Sequence, residues 1–237
     1  MDLARYADLL EVDSAALLAA QQEAPSAPAW DGLGWDRTRL LAHVGEVHLW
    51  MRTQLALGPE EMIDFAALEA APTGADLPAW FASGAAELTA RISAMDVDAT
   101  WPTWAGPQPG WFFPRRAAQE TAVHRWDADP QPIDGELAVD GIDELLELFA
   151  PYLRGDRLGG VDASIHLHAT DREGEWLVHL GPGGVRFEHG HAKGDVALRG
   201  TASDLLLWAW NRVPVDERFE VFGDRSPLDT WGEVARF

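Results

Sequence analysis

The first 130 or so residues carry apolar side chains at helical spacing. Leu3, Tyr6, Ala7, Leu10, Leu17 and Leu18 recur in the rhythm that lines one face of a helix. The stretch "APSAPAWDGLGW" then interrupts with Pro and Gly. Asp36 opens a second helix predicted to reach about Leu57, with Leu40, Val44, Val47, Met51 and Leu55 on one stripe. A third is predicted from about Leu77 to Met95. The segment "ATWPTWAGPQPGWFFP" reads as a loop, and Pro114 at its end suits the first turn of a fourth helix. Four helices with one long crossing loop predict a bundle.

The period then changes. "ASIHLHATD", "EWLVHLG", "VRFEHG" and "GDVALRG" are short runs of strand character, punctuated by Gly, Pro and Asp. "TASDLLLWAW" reads as a helix capped by Thr201 or Ser203, and a further helical turn or two starts near Pro227. A helix over about 141–153 joins this α+β unit to the bundle. There is no internal repeat and no low-complexity tract.

Composition narrows the partners. The chain has 237 residues and a net charge of −21, with Lys193 its single lysine. No basic stripe exists to neutralise phosphates, which argues against nucleic acid and against anionic membrane surfaces. Cysteine is absent, which excludes disulfides, thiolate metal ligands and a cysteine nucleophile. The N-terminal residues lack a basic start followed by an apolar run, so a cytoplasmic protein is expected. No apolar segment has spanning length.

The candidate chemistry lies in the histidines. In "RRAAQETAVHRWDAD", Arg116, Glu120 and His124 are spaced by four and line one side of the fourth helix. Taken alone the spacing favours a solvated charge stripe, though it also lets Glu120 and His124 close on one metal ion. His43 and His48 fall on opposite flanks of the second helix's apolar stripe. His43 can point into a bundle, where the simplest reading is a satisfied interior histidine. His166 and His168 share one face of a strand, as His189 and His191 can. Two such pairs could in principle make a second metal cluster, but exposed histidines are ordinary on strands and no carboxylate is evidently placed among them. Trp208 and Trp210 read as core. Together, His43 and the Glu120–His124 pair would make a facial two-histidine, one-carboxylate set. Three protein ligands leave an open position, the catalytic pattern for zinc, and also one that Fe(II) accepts.

Three blocks, "GWDRTRLLAHVGEVHLW", "PRRAAQETAVHRWDAD" and "HGHAKGDVALRGTASDLLLWAW", resemble the maleylpyruvate isomerase family of mycothiol-dependent enzymes. The resemblance covers almost the whole chain. It implies a DinB-like four-helix metal-binding domain over residues 1–135, then a small α+β domain similar to sterol carrier proteins over 136–237. It places the metal ligands on His43, Glu120 and His124, with zinc or another divalent metal as cofactor. It places the catalytic arginine on Arg212 in "WAWNRVP", with Arg225 as the alternative. Mycothiol would bring the reactive sulfur that the chain lacks, since a metal-held thiol is deprotonated at neutral pH. Addition of the thiolate to a cis double bond, rotation and elimination would isomerise a small electrophilic substrate; addition alone would make the protein a thiol transferase. Asp127, three residues after His124, is the candidate to support that imidazole. The competing implication is a carrier of small molecules or lipids, with a structural or vestigial metal site and an apolar cavity in the second domain.

Overall fold

The computed structural model describes residues 1–153, 158 and 160–235. The chain divides into two compact units, Met1–Gln131 and Pro132–Phe237. The first is the helical bundle expected from the pattern, and the second an α+β unit.

Helix α1 spans Leu3–Glu23 and α2 spans Arg37–Leu57. Each begins at an aspartate whose carboxylate accepts a backbone N–H three residues on: Asp2 from Arg5 at 2.8 Å and Asp36 from Arg39 at 2.7 Å. Such caps satisfy amide donors that the helix cannot. Helix α3 covers Leu77–Ala94, with Pro78 in its first turn, and α4 covers Phe112–Ala128. Going round the bundle the order is α1, α3, α2, α4. Leu10, Leu17, Leu40, Leu41, Val44, Met51, Phe81, Leu88 and Ile92 fill its interior, all at most 1% exposed. Each contributes on the order of 1.5–3 kcal/mol by leaving water. Helix α4 is buried on nearly every side. Small residues, Ala117, Ala118 and Ala122, are fully buried along it, where it packs on α1 and α2.

The stretch expected to be a loop before α4 contains a hairpin, β1 (Thr100–Thr103) and β2 (Gly106–Pro109). Alternation is hidden there because three of the eight strand residues are proline. Gly106 takes the left-handed conformation (φ 87°) that the tight turn needs. Trp101 packs on Phe113 and Trp104 on Phe112, pinning the hairpin to the start of α4.

In the second unit, α5 (Gly135–Glu144) starts six residues earlier than the pattern suggested. Asp134 accepts from both Glu136 N and Leu137 N, a cap the apolar spacing does not reveal. The helix then loosens into a π turn, Leu145–Phe149, and a 3₁₀ turn, Ala150–Tyr152. Strands β3 (Ala163–Ala169), β4 (Glu175–Gly181), β5 (Gly184–His189), β6 (Val196–Gly200) and β7 (Glu220–Gly223) form one sheet in the order β5-β4-β3-β6-β7. Among the described residues β3 and β6 pair in parallel, and the other neighbours pair antiparallel. Strand β7, which the sequence pattern did not single out, is four residues long and mostly exposed. It ends at Gly223, where a Cβ would meet the Asp195 carbonyl oxygen at 2.2 Å.

Helices α6 (Ala202–Ala209), capped by Thr201, and α7 (Ser226–Val234) complete this unit. On one side of the sheet Ile165, Leu167 and Val178 face Ile142, Leu146, Trp208 and Trp231. Trp208 and Trp231 stack at 5.9 Å, and the Trp231 indole N–H donates to the Ala209 carbonyl at 3.0 Å. The opposite side carries the polar residues of the strands, His166 and His168 among them.

Candidate functional site

His43 sits two turns into α2, and Glu120 and His124 sit one turn apart on α4. Packing of α2 against α4 brings the three together, with their nearest ligand atoms within 4.8 Å of one another. The Nε2 of His43 lies 3.4 Å from Oε1 of Glu120, and the Nε2 of His124 lies 3.3 Å from the same oxygen. The two imidazoles meet edge to face, centroids 5.1 Å apart. A tetrahedral metal with ligands at about 2.0–2.2 Å holds its donors about 3.3–3.6 Å apart. The three groups are therefore spaced as one divalent ion could hold them.

Each ligand candidate is gripped from outside. The Arg116 guanidinium donates to the other Glu120 oxygen at 2.7 Å, and it is only 4% exposed. This arginine–glutamate–histidine row is largely withdrawn from solvent, with Arg116 and His124 buried and Glu120 partly so, and is not the solvated charge stripe that spacing alone allows. Asp127, its side chain fully buried, accepts the Nδ1–H of His124 at 2.8 Å. That bond turns Nε2 of His124 toward His43 and Glu120. His43 packs beside Trp35 at 5.0 Å. Trp35 stands just before the Asp36 cap, a position that often folds back on its helix, yet nothing in the spacing linked it to the site. The Arg125 guanidinium, by donating to Asp13 at 2.9 Å, ties the end of α4 to α1.

His48, the other histidine of α2, has a different task. It is 1% exposed, stacks on Phe81 at 5.5 Å and shares a 2.9 Å hydrogen bond with Thr121. Burial lowers its pKa to about 4, so it is a neutral core residue.

The electrostatics of the trio follow from burial against charge. Burial alone would raise the Glu120 carboxyl. The charge of His124, hydrogen bonds from His124 and His43, and the Arg116 guanidinium outweigh it and hold the group well below the carboxylate range. Burial likewise works to lower the His124 pKa, but Glu120 and Asp127 raise it to about 9. Without a metal His124 is thus protonated at neutral pH, and a metal would have to displace that proton. Side-chain exposure rises from 10% at His124 through 18% at Glu120 to 30% at His43, so the cluster opens to solvent on the His43 side.

In the second unit, Arg212 follows α6 directly after Asn211, which adopts φ 58°. It is half-buried, its backbone N–H donates to the Leu207 carbonyl at 2.8 Å, and its guanidinium reaches the Trp210 carbonyl at 3.1 Å. Arg225 is exposed and donates to the Val215 carbonyl at 3.2 Å. The space between sheet and helices, where a carrier's ligand would lie, holds about 10 Å³, no more than a single water needs. Among the described residues no helix is long and apolar enough to cross a membrane.

The comparisons with known proteins bear on the whole chain. The family model described as the mycothiol maleylpyruvate isomerase N-terminal domain matches residues 7–129. The model described as the MDMPI C-terminal domain matches residues 136–230. No curated protein matches in sequence. A crystal structure of the mycothiol-dependent maleylpyruvate isomerase superposes with a TM-score of 0.63 at 12% identity, covering 93% of both chains. A mutant of that enzyme gives 0.59 at 12% identity and 90% coverage of both. Those likenesses speak for the fold. The family models, which between them span most of the sequence, place the chain in the mycothiol maleylpyruvate isomerase family.

Proposed function

We propose that this protein is a metal-dependent enzyme that works with mycothiol to isomerise or conjugate a small electrophilic acid. His43, Glu120 and His124 would hold the metal, with zinc the first candidate. One observation carries the reading: two imidazole nitrogens from two helices converge on a single, partly buried carboxylate oxygen at 3.3 and 3.4 Å. The donor set fits a divalent ion that keeps one position open. A metal bound there would supply a positive centre at which a coordinated thiol loses its proton near neutral pH.

The chain's own residues do the rest. Arg116 holds Glu120 as an anion and fixes its rotamer. Asp127 keeps the proton of His124 on Nδ1, leaving the Nε2 lone pair for a ligand once its proton has gone. The partial exposure of His43 gives small molecules a way in. Cysteine is missing from the sequence, so the nucleophilic sulfur has to arrive from outside. Arg212 is proposed as the residue that grips a substrate carboxylate through paired hydrogen bonds, with Arg225 as its substitute. The tight interior of the second unit gives no support to a lipid-carrier reading.

The test is incubation of zinc-loaded protein with mycothiol and a panel of electrophilic acids that includes maleylpyruvate, read by mass spectrometry. An isomer or a mycothiol adduct should form, and His124→Ala should abolish it while leaving the helical circular dichroism intact. Product formation by His124→Ala at the wild-type rate would sink the proposal.

A further inference from the structure

A second group of metal-binding side chains lies in the α+β unit. His166 and His168 lie on β3 and face the open side of the sheet. The β3–β4 register sets Glu175 directly opposite His168, on that same side. Strand order brings the fourth member. β6 pairs with β3 on the side away from β5, so the connection Gly190–Asp195 has to pass β4 and β3, and it carries His191 to the same place.

The contacts converge on the Glu175 carboxylate. Nε2 of His166 lies 3.2 Å from Oε2, Nδ1 of His191 lies 2.8 Å from Oε2, and Nδ1 of His168 lies 2.9 Å from Oε1. His166 meets both other imidazoles edge to face, at 6.0 Å for His168 and 5.2 Å for His191. One ligand atom from each of the four residues lies within 4.8 Å of all the others. His166 is 6% exposed although it lies on the side of the sheet away from the helices.

We propose that His166, His168, Glu175 and His191 form a second divalent-metal site, independent of the cluster on α2 and α4. Three imidazoles and one carboxylate suit zinc, copper(II) or nickel(II) and not calcium or magnesium, which take oxygen ligands. Four protein ligands fill a tetrahedral shell, as in structural zinc sites. The ion would tie the β5–β6 connection to β3 and β4. A hydrogen-bonded network is the competing account, and the two differ in one respect. The network needs a proton on every nitrogen that faces Glu175, whereas a metal needs a lone pair there.

The experiment uses full-length protein stripped with chelator and dialysed against zinc buffered near about 1 μM, at which a site with a Kd of that size is half filled. Bound metal is then counted by elemental analysis. Single variants His168→Ala and His191→Ala should each lower the zinc content relative to the wild type. His191, 81% exposed, can be replaced without disturbing the core. The Nδ1 signals of both histidines in ¹H–¹⁵N spectra should lose their proton correlation on zinc addition. Wild-type zinc content in both variants, or retention of the Nδ1 protons, would overturn the proposal. His124→Ala is measured alongside: if it leaves zinc content unchanged while His191→Ala lowers it, the bundle reading fails and this one stands.

Discussion

Asp127 offers the most quantitative test of how the bundle cluster is held. Its side chain is fully buried and accepts from His124 at 2.8 Å, and the two lie three residues apart on one helix, so neither can turn away. Removing such a partner from a metal-bound imidazole costs about 10–100-fold in affinity, or about 1.4–2.8 kcal/mol. Asp127→Asn keeps an acceptor and the shape but loses the charge, so it should fall near the lower figure. Asp127→Ala loses orientation as well and should approach the upper one. The assay is competition for zinc against a chromophoric chelator. It is run in a His191→Ala background so that the second group of histidines does not contribute. Asp8→Asn, on the exposed side of α1, controls for net charge. If both Asp127 variants hold zinc as tightly as Asp8→Asn, with circular dichroism unchanged, Asp127 does not support a metal ligand and the reasoning fails.

Three further outcomes are expected. Arg212→Lys keeps the charge and loses the two-pronged geometry; turnover of an acid substrate should fall about 10–100-fold, the worth of a charge-assisted hydrogen bond, with zinc content unchanged, and unaltered kinetics would move the role to Arg225. The metal-free protein should lose stability as pH rises from 6.5 to 9, because His124 is raised from 6.5 to about 9 in the fold and so contributes fully only below 6.5. Glu120, lowered from 4.5, works in the opposite sense and loses its contribution as pH falls below that value; thermal melts of wild type and His124→Ala with parallel pH profiles between 6.5 and 9 would contradict the assignment. Phe81→Ala, which empties a site 1% exposed and unstacks His48, should cost about 3–5 kcal/mol, measured by urea unfolding followed by far-ultraviolet circular dichroism.

Local signals made most of the elements legible. The Asp36 and Thr201 caps, the apolar period of α2 and the short runs that became β3 to β6 depend on residues a few positions apart, so the sequence alone determines them. The i,i+4 spacing of Glu120 and His124 is of the same kind. Whether that row faces water or protein is not, because it depends on α2 closing over α4 from more than seventy residues away. The approach of His43 follows from that packing alone. The hairpin before α4 was masked by its prolines, and β7 is too short and exposed to leave a pattern. Glu175 shows the division most plainly. In sequence it stands apart from the strand histidines, seven residues beyond His168 and sixteen before His191. The antiparallel register of β3 and β4 sets it opposite His168, and the crossing of the β5–β6 connection delivers His191, because strand pairing is a non-local choice made only when the whole sheet buries its apolar face.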